Sequence, residues 1–211
     1  MLCKELMNEV HVYIFDDMDS LSDNYVEHNL HRLPRFRQAQ CAQYRQDSDK
    51  KACIISYLLL ERGLQEKYSI TTPISFIYNE NGKPYIREAP HIFFNLSHCK
   101  SGVVCAFADF EIGVDIQEIR SFDIDVARRV CSDDELHSLE KADNPASLFC
   151  RIWTEKESYA KMKGISVAAT LKQTLPAKSF RHIERKQYCM TICLGKAVEF
   201  IDFNTRPEYP A

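Results

Sequence analysis

The stretch from Phe93 to Arg120, FFNLSHCKSGVVCAFADFEIGVDIQEIR, most constrains the fold, because it strings strand-like runs together across polar residues that a hydrophobic core has no use for. HIFFNLS and GVVCAFADF read as two strands turning at Lys100-Ser101-Gly102, which leaves His98 near the turn at the end of its strand. In EIGVDIQ, Ile112, Val114 and Ile116 alternate with Gly113, Asp115 and Gln117, the period of two that marks a strand with one apolar face. Asp115 and Gln117 then project from the same face, roughly 6.5 to 7 Å apart, so one cation, or a cation with its water, would lie within reach of both. Taken alone, the plainer reading is a half-buried strand whose other face is wet.

A second stretch changes that balance. In SLFCRIWTEKESYAKMKG, Leu148, Phe149, Ile152, Trp153, Tyr159 and Ala160 recur at helical spacing and predict an amphipathic helix over 148–163. Glu157 lies four residues beyond Trp153 and Lys161 four beyond Glu157, so both continue the edge of the aromatic stripe. A carboxylate in that position needs a partner. An ordinary i,i+4 pair with Lys161, worth about 0.2–0.5 kcal/mol, would supply one. The alternative is chemical: an Asp on a strand and a Glu on a neighbouring helix offer the oxygen donors that suit Mg2+, which is usually held by one or two carboxylates together with substrate phosphates.

Before the central stretch, VHVYIFDD predicts a strand over 10–17, and residues 21–47 carry His28, His31, Arg32, Arg35, Arg37 and Arg45, a run expected on a solvated helix face. Residues 47–64, DSDKKACIISYLLLERGL, predict a buried helix with Lys50 and Lys51 in its first turn and Gly63 near its end. TPISFIYNENGKPYI carries an Asn-Gly turn at 81–82, predicting a hairpin with Lys83 and the stiff Pro84 beside it. Such a lysine suits a phosphate, although an exposed turn lysine is the commoner case. After the central strand the order repeats: a partly helical polar connector (DIDVARRVCSDDELHSLE), the long helix, then strand-like SFRHIER, YCMTICL and AVEFIDF. The expected fold is α+β, and the repeated order is compatible with two small α/β halves, 1–110 and 111–211, each a sheet packed on a helix and each marginal alone, an arrangement that the order of elements by itself does not establish.

The formal net charge of -3 argues against a general nucleic-acid binder. The amino terminus has Glu5 and no apolar leader segment, and nowhere does the chain approach the ~20 apolar residues of a membrane span, so a cytoplasmic protein is expected; a monomer is expected as well. Nine cysteines, at 3, 41, 53, 99, 105, 131, 150, 189 and 193, include no C-x-x-C pair and suggest neither a disulfide framework nor a zinc site. Cys53 and Cys105 read as small core hydrophobes, and Cys99 would point away from His98, which leaves the adjacent pair poorly placed for joint catalysis.

Taken together, FNLSH (94–98), GVDIQ (113–117) and WTEKESYAK (153–161) resemble the three signature blocks of the Sfp-type 4'-phosphopantetheinyl transferases, preceded here by the matching Gly82-Lys83-Pro84. The resemblance runs from about Leu33 to Ser166. It implies a pseudo-twofold duplication of two mainly antiparallel halves with the active site between them. It implies transfer of the phosphopantetheine arm of coenzyme A to a serine of an apo acyl or peptidyl carrier protein, with Mg2+ as cofactor and 3',5'-ADP released. Asp115 and Glu157 would hold the metal, with Gln117 in a position that is usually acidic. Glu157, Lys161 and Glu135 would serve catalysis, Glu135 matching a position near a metal-bound water or else being a solvated connector acid. Ser97, His98, Lys83, Pro84 and the basic group Arg37, Arg45 and Lys51 would meet the coenzyme A. The Gln117 departure keeps a catalytically silent coenzyme A or carrier-protein binding module open, and a metal-dependent phosphodiesterase is a weaker rival.

Overall fold

A computed structural model describes residues 9–71, 73–198 and 200–204. Cys3 and the amino-terminal residues 1–8, on which the expectation of no leader rests, lie outside the described residues. In chain order the elements are β1 (Glu9–Phe15), α1 (Tyr25–Asn29), α2 (Arg35–Cys41), α3 (Asp47–Tyr68), β2 (Phe76–Tyr78), β3 (Pro84–Ile86), β4 (Phe93–Cys99), β5 (Gly102–Ala108) and β6 (Ile112–Glu118). They continue with α4 (Ile124–Val130), α5 (Asp133–Glu140), α6 (Pro145–Lys163), β7 (Phe180–Glu184), β8 (Tyr188–Leu194) and β9 (Phe200–Asn204). Among the described residues no helix is long and apolar enough to cross a membrane.

The fold is α+β, and its two main sheets share one connectivity. In the first, β1, α3, β4 and β5 follow in sequence and the strands lie in the order β4-β5-β1; in the second, β6, α6, β7 and β8 follow and lie in the order β7-β8-β6. All these pairings are antiparallel. The last strand departs from the repeat: β9 pairs parallel with β1, extending the first sheet instead of the second. It satisfies the edge of β1 that β5 leaves open, as backbone hydrogen-bonding groups require.

Four layers result. α3 packs on one face of the first sheet, against Tyr13, Phe15, Cys105 and Phe107, while Val10, Val12, Ile14, Val104 and Ala106 on the opposite face meet Ile112, Val114, Ile116, Met190 and Ile192 of the second sheet. β5 is thus covered on both faces, which explains why GVVCAFA is an unbroken run of small and apolar residues with no polar alternation. α6 covers the outer face of the second sheet, so the expectation of a wet face on β6 is corrected: Asp115 is only 5% exposed.

The charged run at 21–47 lies on short helices with His28 and His31 exposed, as expected of a solvated face. Two other local expectations are revised. α3 does not stop at Gly63; it runs to Tyr68 and ends on Ser69 in the left-handed region (φ 56°). Gly63 instead allows Phe107 to lie against the helix, since a Cβ there would be 2.2 Å from the ring. The β2–β3 hairpin forms, but its register pairs Tyr78 with Pro84, so the loop is five residues long and not a two-residue Asn-Gly turn. Asn79 widens it, because its Oδ1 accepts from the backbone N–H groups of Asn81 (3.0 Å) and Lys83 (2.8 Å).

Candidate active site

Strands β4 and β6 are edge strands of different sheets, and side chains join them where a backbone ladder would otherwise run. Val114 N–H donates to Asn95 Oδ1 (2.8 Å) and Ile116 N–H to Ser97 Oγ (3.3 Å). Asn95 and Ser97 are two apart on one face of β4, so they match the two-residue repeat of the β6 donors. The N-x-S within FNLSH is therefore an inter-half joint, a role the spacing signals but that needs the partner strand to be read. Ser97 does not lie free for a coenzyme contact: its hydroxyl donates to Asp115 Oδ1 at 2.8 Å and accepts from Lys161 Nζ at 3.0 Å.

Helix α6 lies directly on β6. A Cβ at Gly113 would come within 2.0 Å of Ser158 O and 2.5 Å of Met162 N, contacts with helix backbone that no side-chain movement relieves. Only glycine admits this approach, and the approach brings Lys161 down onto Asp115. Gly113→Ala is expected to cost about 1–3 kcal/mol in chemical denaturation, as overpacking does, and to lower activity further by lifting α6 off the strand. Unchanged stability would show that the helix is free to move.

Lys161 Nζ reaches Asp115 Oδ1 at 2.6 Å and Val114 O at 3.3 Å. The i,i+4 pair with Glu157 does not form. Glu157 makes no hydrogen bond or ion pair with any described residue, and its acidity is altered accordingly: burial raises its pKa above the ordinary carboxyl value, with Lys161 lowering it and the Asp115 charge raising it. The aromatic residues of the helix also face elsewhere than a single stripe implies. Leu148, Phe149, Ile152 and Trp153 pack on α4 and α5 residues, whereas Thr154, Ser158 and Met162 are buried and Ser158 and Met162 meet β6.

These residues fit a divalent cation. Asp115 Oδ2 is buried without a hydrogen-bond partner among the described residues, and the half-buried Glu157 carboxylate lies close enough to feel the Asp115 charge. No group of three or more His, Cys, Asp or Glu residues gathers there among the described residues. Two carboxylates with the rest of the shell left to phosphate and water are the donor set Mg2+ takes. Gln117, two positions along β6, lines a hollow of about 370 Å3 together with His98, Lys100, Asp49 and Arg120, and an adjoining one of about 480 Å3 with Arg120, Phe149 and Trp153. Lys100, Arg120 and Asp49 were not singled out by sequence as site residues; Lys100 and Arg120 are basic residues just beyond FNLSH and GVDIQ, which is the signal they give.

The other expected residues scatter. His98 is open to solvent on one edge and crowded by protein on the other; this burial, then Lys161, pulls its pKa below the ordinary histidine value, against Asp49 and Asp115. Arg37 donates to Cys53 O (3.2 Å) and stacks on Tyr57, Lys51 Nζ donates to Leu21 O (3.1 Å), and Arg45 is exposed. Lys83 is neither an exposed turn lysine nor a free phosphate donor. It is buried, and its ammonium is bound to Glu111, Met162 O (2.8 Å) and Ile112 O (3.4 Å). With Pro84 it lines a separate hollow of about 200 Å3 beside Lys161 and Gly164.

Glu135 has a structural post. Its carboxylate completes a capping box with Ser132 at the start of α5, accepting from Ser132 N–H at 2.7 Å, and pairs with Lys156 at 2.9 Å. Lys156 is fully buried (0% exposed) and also donates to Gln173 O (2.7 Å). The expectation of a solvated or water-activating acid at 135 finds both oxygens engaged elsewhere. The eight described cysteines are all free thiols, with Cys53 and Cys105 in the core.

Comparison with known proteins agrees with this geometry over both halves. Residues 111–206 match the family model of the 4'-phosphopantetheinyl transferase superfamily, and residues 21–109 match that of the 4'-phosphopantetheinyl transferase N-terminal region. The chain is similar to 4'-phosphopantetheinyl transferase psf-1 of Bacillus pumilus, 29% identical over 158 residues that cover 72% of this chain and 68% of the relative. It is 28% identical to 4'-phosphopantetheinyl transferase Sfp of Bacillus subtilis (strain 168) over 138 residues, 64% of this chain and 62% of the relative, so it spans a little under two thirds of that protein. It is 32% identical to 4'-phosphopantetheinyl transferase AcpT of Salmonella typhi over 150 residues, 65% of this chain and 74% of the relative. With both halves matched and the three motifs meeting at one joint, the chain belongs to the Sfp-type 4'-phosphopantetheinyl transferase family.

Proposed function

We propose that the protein transfers the 4'-phosphopantetheine arm of coenzyme A to a serine of an apo acyl or peptidyl carrier protein, releasing 3',5'-ADP, in the presence of Mg2+. The observation that supports this most is the meeting of Asp115, Glu157 and Lys161 at the joint of the two halves, beside the hollow lined by His98 and Gln117. In the reaction the serine oxygen bonds to the β-phosphorus, the bond from that phosphorus to the bridging oxygen breaks, and the serine proton must be accepted. Glu157, which no described side chain pairs with, would take that proton or orient the group that does, beside its part in holding the metal. Lys161, held at the same edge by Asp115 and Ser97, offers positive charge to the departing phosphate. Mg2+ at Asp115 and Glu157 would neutralise charge on the pyrophosphate oxygens. His98, lining that hollow, would meet an anionic end of the coenzyme. This reading takes the protein to be a cytoplasmic monomer.

Incubation with coenzyme A, Mg2+ and a panel of apo carrier proteins, followed by weighing the carriers, tests the reading: one carrier should gain the mass of one arm. Coenzyme A binding without any mass gain would favour the silent binding module that the Gln117 departure suggests. Gln117 itself makes a further expectation. A neutral amide gives the site one unit less ligand charge than an acid would, so Gln117→Glu should lower the Mg2+ concentration needed for half-maximal rate, with a modest change in kcat at saturation. Superimposable Mg2+ titrations would place Gln117 outside the metal shell.

A further inference from the structure

The β2–β3 hairpin belongs to the first half, yet its loop grips the end of the second half's central helix. Asn79 Nδ2 and Asn81 Nδ2 both donate to Gly164 O, at 3.0 and 2.9 Å, and Lys83 Nζ donates to Met162 O at 2.8 Å. These carbonyls close α6, where the last four C=O groups have no partner within the helix and where positive charge is favoured. Gly164 itself is left-handed (φ 63°), and a Cβ added there would run into the Asn79 amide and come within 3.3 Å of Lys83 Cδ. Lys83 also donates to Ile112 O on β6 and pairs with Glu111 just before that strand. One buried ammonium therefore ties together the hairpin, the carboxy-terminal end of α6 and the start of β6.

We propose that this hairpin is a clamp and Lys83 a positioning residue: it sets how far α6 lies along β6, and so the placement of Glu157 and Lys161 against Asp115, without touching the coenzyme phosphates. Lys161 is one residue from Met162, whose carbonyl Lys83 holds, so a shift of that turn moves the Asp115–Lys161 contact directly. Displacements of about 1 Å at such a remove can cost on the order of a hundredfold in rate.

The inference rests on the transferase reading for its kinetic part, so wild-type arm transfer is established first; a wild type without activity would count against that reading, and the hydrogen-exchange arm below would still decide the clamp. Lys83→Met, which keeps the length of the side chain, and Asn79→Ala with Asn81→Ala, which remove from exposed or half-buried positions the two bonds to Gly164 O together with the two that Asn79 Oδ1 accepts within the loop, are compared with wild type. The clamp predicts faster amide exchange confined to the last turn of α6 in both variants. It also predicts kcat per titrated active site falling about ten- to a hundredfold in Lys83→Met, with KM changed less than about twofold and the same loss with dephospho-coenzyme A. The asparagine variant should show a smaller loss of the same kind. A rise in KM that is larger for coenzyme A than for its dephospho form would overturn the proposal and return Lys83 to the phosphate site. Unaltered exchange at the end of α6 in both variants would also overturn it, as would loss of active enzyme with unchanged kcat per active site.

Discussion

Asp115→Asn lowers arm transfer by on the order of 10³-fold or more, while the protein stays folded. The size of the effect follows from what Asp115 does at the joint. One of its oxygens anchors Lys161 and Ser97, and the other is buried without a partner among the described residues, which leaves it open to a cation. Losing the carboxylate charge weakens both arrangements at once, and about 10³-fold corresponds to about 4 kcal/mol of transition-state stabilisation, the range measured for single preorganised electrostatic groups. Folding survives because Asn keeps the volume and its amide oxygen can still accept from Ser97 and Lys161, and because Lys161, 28% exposed, can turn to water. Glu157→Gln should lose activity on a similar scale, being the second carboxylate of the same pair. The check is kcat/KM for a carrier protein beside a thermal melt of each variant; an Asp115→Asn enzyme with near wild-type turnover would remove the metal assignment altogether.

The largest effect on stability belongs to Glu135. Glu135→Ala strands the Lys156 ammonium, fully buried and left with Gln173 O alone, and it dismantles the capping box at Ser132. Breaking a buried pair by removing one partner costs about 3–5 kcal/mol, and loss of an N-terminal cap adds about 1 kcal/mol. Replacing both charges should be much milder: Glu135→Ala combined with Lys156→Met leaves an apolar side chain of similar length in the same space, and part of the loss is recovered. Urea denaturation of the two variants measures this. If Glu135→Ala kept its stability and lost only turnover, the capping and ion-pair account would fail, and the proton-transfer role implied by family resemblance would stand.

Lys156 shows why some of the site was hidden in the sequence. Within WTEKESYAK the residues Glu155, Lys156, Glu157 and Lys161 have equal claims as charged helix residues, and helical spacing separates them only into faces. Which face is buried depends on what lies against it. Here α5 takes Lys156, β6 takes Lys161 and the joint of the halves takes Glu157. The single aromatic stripe expected along the helix was too simple a picture, because α6 is covered by helices on one side and by a sheet on the other.

Local pattern alone determined a good deal. Alternation at 112–117 made β6 a strand and set Gly113, Asp115 and Gln117 on one face; the apolar runs made α3 and α6 helices; the polar pair Lys100-Ser101 turned β4 into β5. The family followed from three short blocks in order. All of these are contacts between near neighbours in the chain, governed by backbone periodicity and turn chemistry, and they are legible one segment at a time. Only the tertiary structure decided the rest. It placed β9 beside β1, made Asn95 and Ser97 the joint between edge strands, turned Lys83 from a loop lysine into a buried donor to the end of α6, and gave Glu135 a buried partner twenty-one residues away. In each case the outcome depends on which distant backbone groups are left without a partner once the layers stack, a quantity that exists only after the chain has folded.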